Sequence, residues 1–308
     1  MNTRLPTTVH LTEVAPRDGL QNEAAPIATA DKVAFVNALA AAGHATIEVS
    51  AFVSPRWVPQ MADATDVFAG IERRAGVRYT ALVPNLAGLA RARSAGADAI
   101  AIFVAASETF SQRNINASIG ESFARYAEVT REALDAGLPV RAYLSTAFGC
   151  PFEGAVPLET VAELAARLIE MGAYEVALSD TIGIAHPGQV GPLVEAVAAR
   201  GVLLSQIAMH FHDTRGTALV NVYAALEAGV TVFDSSAGGL GGCPYAPGAT
   251  GNLATEDLLY MLDGLGIQTG VRLDDVLHAS ELMAPLVGHT LASRVYNARQ
   301  NSKHGAKR

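Results

Sequence analysis

Gln206-Ile207-Ala208-Met209-His210-Phe211-His212-Asp213-Thr214 is an apolar run that turns polar at its end and passes directly into a helical pattern from Thr214 to Gly229. A strand apolar on both faces and followed at once by a helix is one βα unit of a parallel sheet. Working outward, the same alternation recurs at Val9–Val14, Thr46–Ser50, Val77–Val83, Ala99–Val104, Val140–Ser145, Glu175–Ser179 and Thr231–Ser235, with Ala/Leu-rich amphipathic stretches between. Thr29 and Asp31 open the first helix, and glycines such as Gly43, Gly172 and Gly229 close helices just before the next strand. Eight such units in about 265 residues predict an α/β fold, a (β/α)8 TIM barrel over residues 1–272. A doubly wound nucleotide-binding sheet fits less well, because strand one runs into Ala15-Pro16-Arg17-Asp18-Gly19 and not into a Gly-x-Gly-x-x-Gly turn. Residues 273–308 are expected to form a C-terminal helical extension packed on the barrel and ending in a disordered tail.

Half of the 308 residues are apolar, and 22 Lys+Arg against 30 Asp+Glu leave a net charge of −8. That balance, without a long basic run, argues against nucleic-acid or membrane partners, which need clustered cations. Lys303, Lys307 and Arg308 read as a solvated basic end. Two cysteines, Cys150 and Cys243, are too few for a disulfide framework, so both are expected as thiols in a reducing compartment, the cytoplasm fitting best. No apolar run reaches the ~20 residues that span a bilayer, and Met1–Thr8 holds no signal-peptide core.

Chemistry on such a barrel belongs to the C-terminal ends of the strands. Arg17 and Asp18 follow strand one, Glu48 lies near the end of strand two, Asp180 ends strand six, and His210-x-His212 ends strand seven. Two histidines two apart on a strand face the same way and can offer two nitrogens to one ion; with Asp18 they make a mixed N/O set suited to Mg2+ or Mn2+, and to Zn2+ as a further choice. A bland alternative is hydrogen bonding within the barrel mouth. Asp213 reads as a cap for the following helix, and Asp180 reads equally as a cap or as a functional acid. Glu48 sits in an apolar run and therefore needs a charged partner, for which Arg17 is the natural candidate. Cys243 lies in the glycine-dense stretch Ala237-Gly238-Gly239-Leu240-Gly241-Gly242-Cys243-Pro244-Tyr245, which reads as a mobile flap carrying a thiol; Cys150 reads as structural.

At these residues the sequence resembles the 3-hydroxy-3-methylglutaryl-CoA lyases and, more broadly, the divalent-metal lyase and synthase barrels with an Arg-Asp motif after strand one. The likeness covers nearly the whole chain. It is carried by 13–23 (EVAPRDGLQNE), 52–61 (FVSPRWVPQM), 210–214 (HFHDT), 238–246 (GGLGGCPYA) and 250–257 (TGNLATED). The resemblance implies a carbon–carbon lyase acting on an acyl-CoA thioester, with Asp18, His210, His212 and Asn252 as metal ligands. It further implies Arg17 on the thioester carbonyl, Cys243 as the loop thiol needed for turnover, and Glu48 and Asp180 as further active-site acids; separately, a homo-oligomer, a dimer, is expected. Related condensing enzymes read Arg-Asp-Gly-Glu-Gln where this chain has Arg17-Asp18-Gly19-Leu20-Gln21, which favours cleavage over synthesis. Val49-Ser50-Ala51 departs from the family's Thr/Ser-richer run, so a related lyase taking a longer 3-alkyl group is the alternative, beside a synthase or aldolase on the same barrel. The reaction expected is retro-Claisen cleavage of 3-hydroxy-3-methylglutaryl-CoA. In it Arg17 stabilises the enolate oxygen, Asp18 or His212 takes the hydroxyl proton, and Cys243 returns one to carbon.

Overall fold

The computed structural model describes residues 5–242 and 251–305. Cys243, Lys307 and Arg308, with the flap and tail expectations attached to them, lie outside these, as does the side chain of Lys303. Eight strands follow one another in chain order: β1 (His10–Glu13), β2 (Thr46–Ala51), β3 (Arg78–Leu82), β4 (Ala99–Ala105), β5 (Val140–Ser145), β6 (Glu175–Asp180), β7 (Ile207–Phe211) and β8 (Val232–Ser235). Each pairs in parallel with the next, and β8 closes onto β1 from His10↔Val232 to Glu13↔Ser235, making the predicted TIM barrel.

Helices cover the outside: α1 (Thr29–Ala41), α2 (Ala64–Gly70), α3 (Leu86–Ser94), α4 (Glu108–Ile115), α5 (Ile119–Asp135), α6 (Leu158–Glu170), α7 (Pro187–Ala199), α8 (Ala218–Glu227) and α9 (Thr255–Gly264). Gly43 and Gly172, read as helix stops, have φ of +106° and +112°, the region that only glycine enters cheaply. Helix α8 begins four residues later than the pattern at Thr214 suggests. Residues 213–216 instead make a turn closed by the Gly216 N–H on the Asp213 carbonyl (2.9 Å). The C-terminal part forms two helices, α10 (Leu273–Val287) and α11 (Arg294–Gly305), and α10 lies against α1 with Val276, Ala279 and Met283 fully buried. No helix among the described residues is long and apolar enough to cross a membrane.

Inside the barrel the side chains depart from the usual layers of Val, Ile and Leu. Register sets Arg141 beside Glu175, Glu48 beside Thr80, Ser179 beside His210, and His210 beside Asp234. All of these are buried. A polar interior survives only if every charge meets a partner, and Arg141 supplies much of that: it donates to Glu175 (2.6 Å) and, through both terminal nitrogens, to Asp234 (3.1 and 2.7 Å).

Candidate active site

Immediately after β1 the chain makes one π-helical turn, Ala15–Gly19, in which the carbonyl of Val14 receives the N–H groups of Arg17, Asp18 and Gly19 (3.2, 2.8 and 3.2 Å). Such turns are rare and concentrate at functional sites. Here it delivers two consecutive charged residues to the top of the barrel. Arg17 is held on two sides, by Asp18 Oδ1 at 2.6 Å and by Glu48 Oε2 at 2.8 Å, so the partner expected for Glu48 is the one it has. A shift in the β2–β3 register directly after Glu48 accompanies its placement. Tyr143 on β5 completes the support: its hydroxyl donates to Glu48 Oε2 (2.7 Å), and the Arg17 guanidinium stacks over its ring at 5.2 Å.

His210 is the residue before the last of β7 and His212 stands just beyond the strand, their Nε2 atoms 3.2 Å apart. His210 Nε2 is also 3.8 Å from Asp18 Oδ2. On its other side His210 meets Asp234 Oδ2 at 3.1 Å; a carboxylate accepts only, so the proton sits on His210 Nδ1 and Nε2 turns its lone pair to the cluster. Burial, reinforced by His210, lowers the His212 imidazole to about 4, so it is neutral and able to ligate. For Asp18 burial would raise the carboxyl, but Arg17 and the two histidines outweigh it and hold it at about 2.

Asn252 arrives from a segment distant in sequence. Residues 251–253 run antiparallel to the end of β7, with Leu253 N–H on Phe211 O, Asp213 N–H on Gly251 O, and His212 bridged to Asn252. Gly251 passes so close to Gly241 that a Cβ there would lie 1.9 Å from the Gly241 carbonyl oxygen, so no other residue fits. The Asn252 Nδ2 group donates to Asp18 Oδ2 (2.9 Å) and Leu240 O (3.1 Å), which leaves Oδ1 buried without a hydrogen-bond partner among the described residues. Three oxygen and nitrogen donors within 4.8 Å of one another, Asp18, His210 and His212, therefore form a possible divalent-metal site, with an orphaned amide oxygen close at hand. The donor set fits such an ion.

Asp180 is not one of these three donors, although His210 lies within electrostatic reach of it. Its register partner is Phe211 rather than His210, and its two oxygens accept the N–H groups of Ile184 and Ala185 (2.9 and 3.0 Å), organising the turn after β6. Burial raises its carboxyl to about 6. Asp213 accepts the N–H of Ala218 at the start of α8 (2.9 Å) and pairs with Arg294 (2.8 Å), the capping arrangement expected of it. Cys150 is buried, its sulfur accepting from Ser107 Oγ (2.9 Å) and the N–H of Phe152 (3.3 Å). Three members of the site escaped the sequence reading: Tyr143, Arg141 and Asp234. The signal was present for Asp234, an acid between Phe233 and Ser235 in a buried strand, the same pattern that singled out Glu48.

Above the cluster opens a cavity of about 580 Å3 with Arg17, Asp18, His210 and His212 at its floor. Residues 8–283 match the HMGL-like family model. The chain belongs to the HMGL-like family. It is similar to the hydroxymethylglutaryl-CoA lyase YngG of Bacillus subtilis, 51% identical over 94% of this chain and 96% of the relative. It is similar also to the 3-hydroxy-3-isohexenylglutaryl-CoA/hydroxy-methylglutaryl-CoA lyase of Pseudomonas aeruginosa, 52% identical over 96% and 98% of the two chains. Among solved structures, a crystal structure of hydroxymethylglutaryl-CoA lyase from Pseudomonas aeruginosa superposes with a TM-score of 0.95 at 51% identity, covering 97% of this chain and 99% of that one.

Proposed function

We propose that this protein cleaves 3-hydroxy-3-methylglutaryl-CoA into acetyl-CoA and acetoacetate. The observation that carries the reading is the convergence of Asp18, His210 and His212 beside an arginine that keeps a donor in reserve, in a chain about half identical to lyases of that name. Asp18, His210, His212 and Asn252 would hold the ion. When bound, Mg2+ or Mn2+, the ions this mixed donor set suits best, supplies Lewis acidity that lowers the pKa of a substrate hydroxyl.

Cleavage breaks C2–C3, leaving the electron pair on C2 as an acetyl-CoA enolate while C3 becomes the ketone of acetoacetate. Arg17 meets the growing enolate charge. Its two terminal nitrogens are tied to Asp18 and Glu48, but its Nε–H is buried with no partner among the described residues, a donor ready for the thioester oxygen. Glu48 and Tyr143 keep the guanidinium plane fixed, so little reorganisation accompanies the charge shift. Neutral His212 or ionised Asp18 takes the hydroxyl proton. A proton returns to C2 from Cys243. The buried Cys150 thiol accords with a reducing, cytoplasmic setting.

Purified protein supplied with Mg2+ or Mn2+ should release acetoacetate from the thioester, and a chelator should stop it. Acetoacetate formation that ignores the chelator, or its complete absence with metal present, would overturn the proposal.

A further inference from the structure

The carbonyl of Leu240 receives two hydrogen bonds from different parts of the chain: Ser236 Oγ donates to it at 2.8 Å and Asn252 Nδ2 at 3.1 Å. All three residues are buried. A carbonyl oxygen offers two lone pairs, so these two donors fill it. The Asn252 amide needs such a guide. Its oxygen and its NH2 group are nearly the same size, and turning the group over exchanges a donor for an acceptor at almost no steric cost. Turned over, Asn252 would set its oxygen against two acceptors, Leu240 O and Asp18 Oδ2, and would offer a metal ion N–H groups that cannot ligate. As it stands, Nδ2 serves both acceptors, and Oδ1 is the buried atom left without a hydrogen-bond partner among the described residues.

Ser236 is none of the proposed metal ligands, yet its hydroxyl lies behind them. A Cβ on Gly19, the neighbour of Asp18, would come within 2.9 Å of Ser236 Oγ, and one on Gly241 within 2.5 Å of Asn252 Nδ2. The backbone of Ser236 ties down the chain on both sides: its N–H donates to Leu253 O (2.9 Å), and its carbonyl accepts from the N–H groups of Gly239 (2.8 Å) and Thr255 (3.0 Å). Those contacts survive a change of side chain, whereas the bond to Leu240 does not. We infer that Ser236 is a positioning residue for the metal site: by holding the Leu240 carbonyl it fixes which end of the Asn252 amide faces the ion. This role rests on the proposed metal site.

Titration calorimetry with Mn2+ alone, in the absence of substrate, tests it on the full chain. Ser236→Ala should weaken Mn2+ binding by about fivefold to tenfold, the effect of one buried hydrogen bond lost a step away from a ligand. Asn252→Ala should weaken it by about tenfold or more. Adding Ser236→Ala to Asn252→Ala should change the affinity by less than about twofold, because no amide is left to orient. In cleavage assays, saturating Mn2+ should return Ser236→Ala to within about twofold of the unmodified turnover, since the ion itself then draws Oδ1 into place. Unchanged affinity in Ser236→Ala, a double variant whose loss is the product of the two single losses, or a turnover defect that persists at saturation would each overturn the positioning role. An unmodified protein that binds no Mn2+ would sink the metal site itself and this role with it, a result distinct from any difference between variants.

Discussion

Arg17 shows how much of a reaction centre is carried by the groups around it. Two carboxylates and a tyrosine ring hold its guanidinium, and the donor left over is the one the proposed chemistry needs. Arg17→Gln should therefore lower turnover by about 10²–10⁴-fold while metal affinity, measured by titration calorimetry, stays near that of the unmodified protein. His210 depends on Asp234 in the same way. Asp234→Asn keeps the shape but not the acceptor-only character, and metal affinity should fall by about 10–100-fold; unchanged affinity would mean that His210 orients itself. At this scale the sequence was partly legible. Arg17, Asp18 and the two histidines are polar residues near or beyond strand ends, where polarity is conspicuous, and Glu48 is the one acid in an otherwise uncharged strand. Arg141 and Asp234 lie lower in the barrel, and a solitary charge inside a strand has meaning only once its partner on a strand some ninety residues away is known.

Among the elements, the joint between β7 and the segment 251–253 decides whether Asn252, the proposed fourth donor, is present. That joint depends on two glycine backbones touching at Gly241 and Gly251. Gly251→Ala should force the segment off β7, displacing Asn252 and weakening metal binding by about tenfold or more, with the circular dichroism of the barrel unchanged. Sequence patterning found all eight strands to within a residue or two, because each is a short β-branched run bracketed by helix stops. It placed the start of α8 too early because Asp213-Thr214-Arg215-Gly216 has no apolar period of its own, and the Asp213 side chain sets the boundary only by reaching Ala218. An antiparallel scrap such as 251–253 is too short to carry a period and could not be read at all.

Across the whole molecule, two buried acids and a buried histidine give stability a definite pH profile. Burial pushes Glu13 up to about 8 and Glu256 to about 7, from a usual 4.5, so their contribution is complete in acid and is lost as pH rises through those values. Burial likewise holds His44 down at about 3, which costs stability only below its usual 6.5. Between pH 6.5 and 8 both acids lose their contribution while His44 adds none, and the melting temperature should decline. Glu13→Gln preserves an acceptor for the N–H groups of Ala15 and Ala237 and has no proton to lose, so its curve should be flatter over that range. The C-terminal helices belong to the same folding unit in this sense: Met283 on α10 is fully buried, and Met283→Ala should cost about 2–5 kcal/mol in denaturant unfolding, where a loosely attached appendage would register almost nothing.

The run of contacts from Glu175 through Arg141 and Asp234 to His210 crosses the bore of the cylinder like a spoke, tying four staves of its wall together. Whatever grips the imidazole from above also tensions that spoke. A chelating agent should accordingly act as a mild denaturant: at a hundredfold excess over its dissociation constant a tightly seated ion adds about 2.7 kcal/mol to the folded state, and stripping it away returns that sum to heat. Calorimetric melts with and without the ion would then weigh the grip without any turnover being observed.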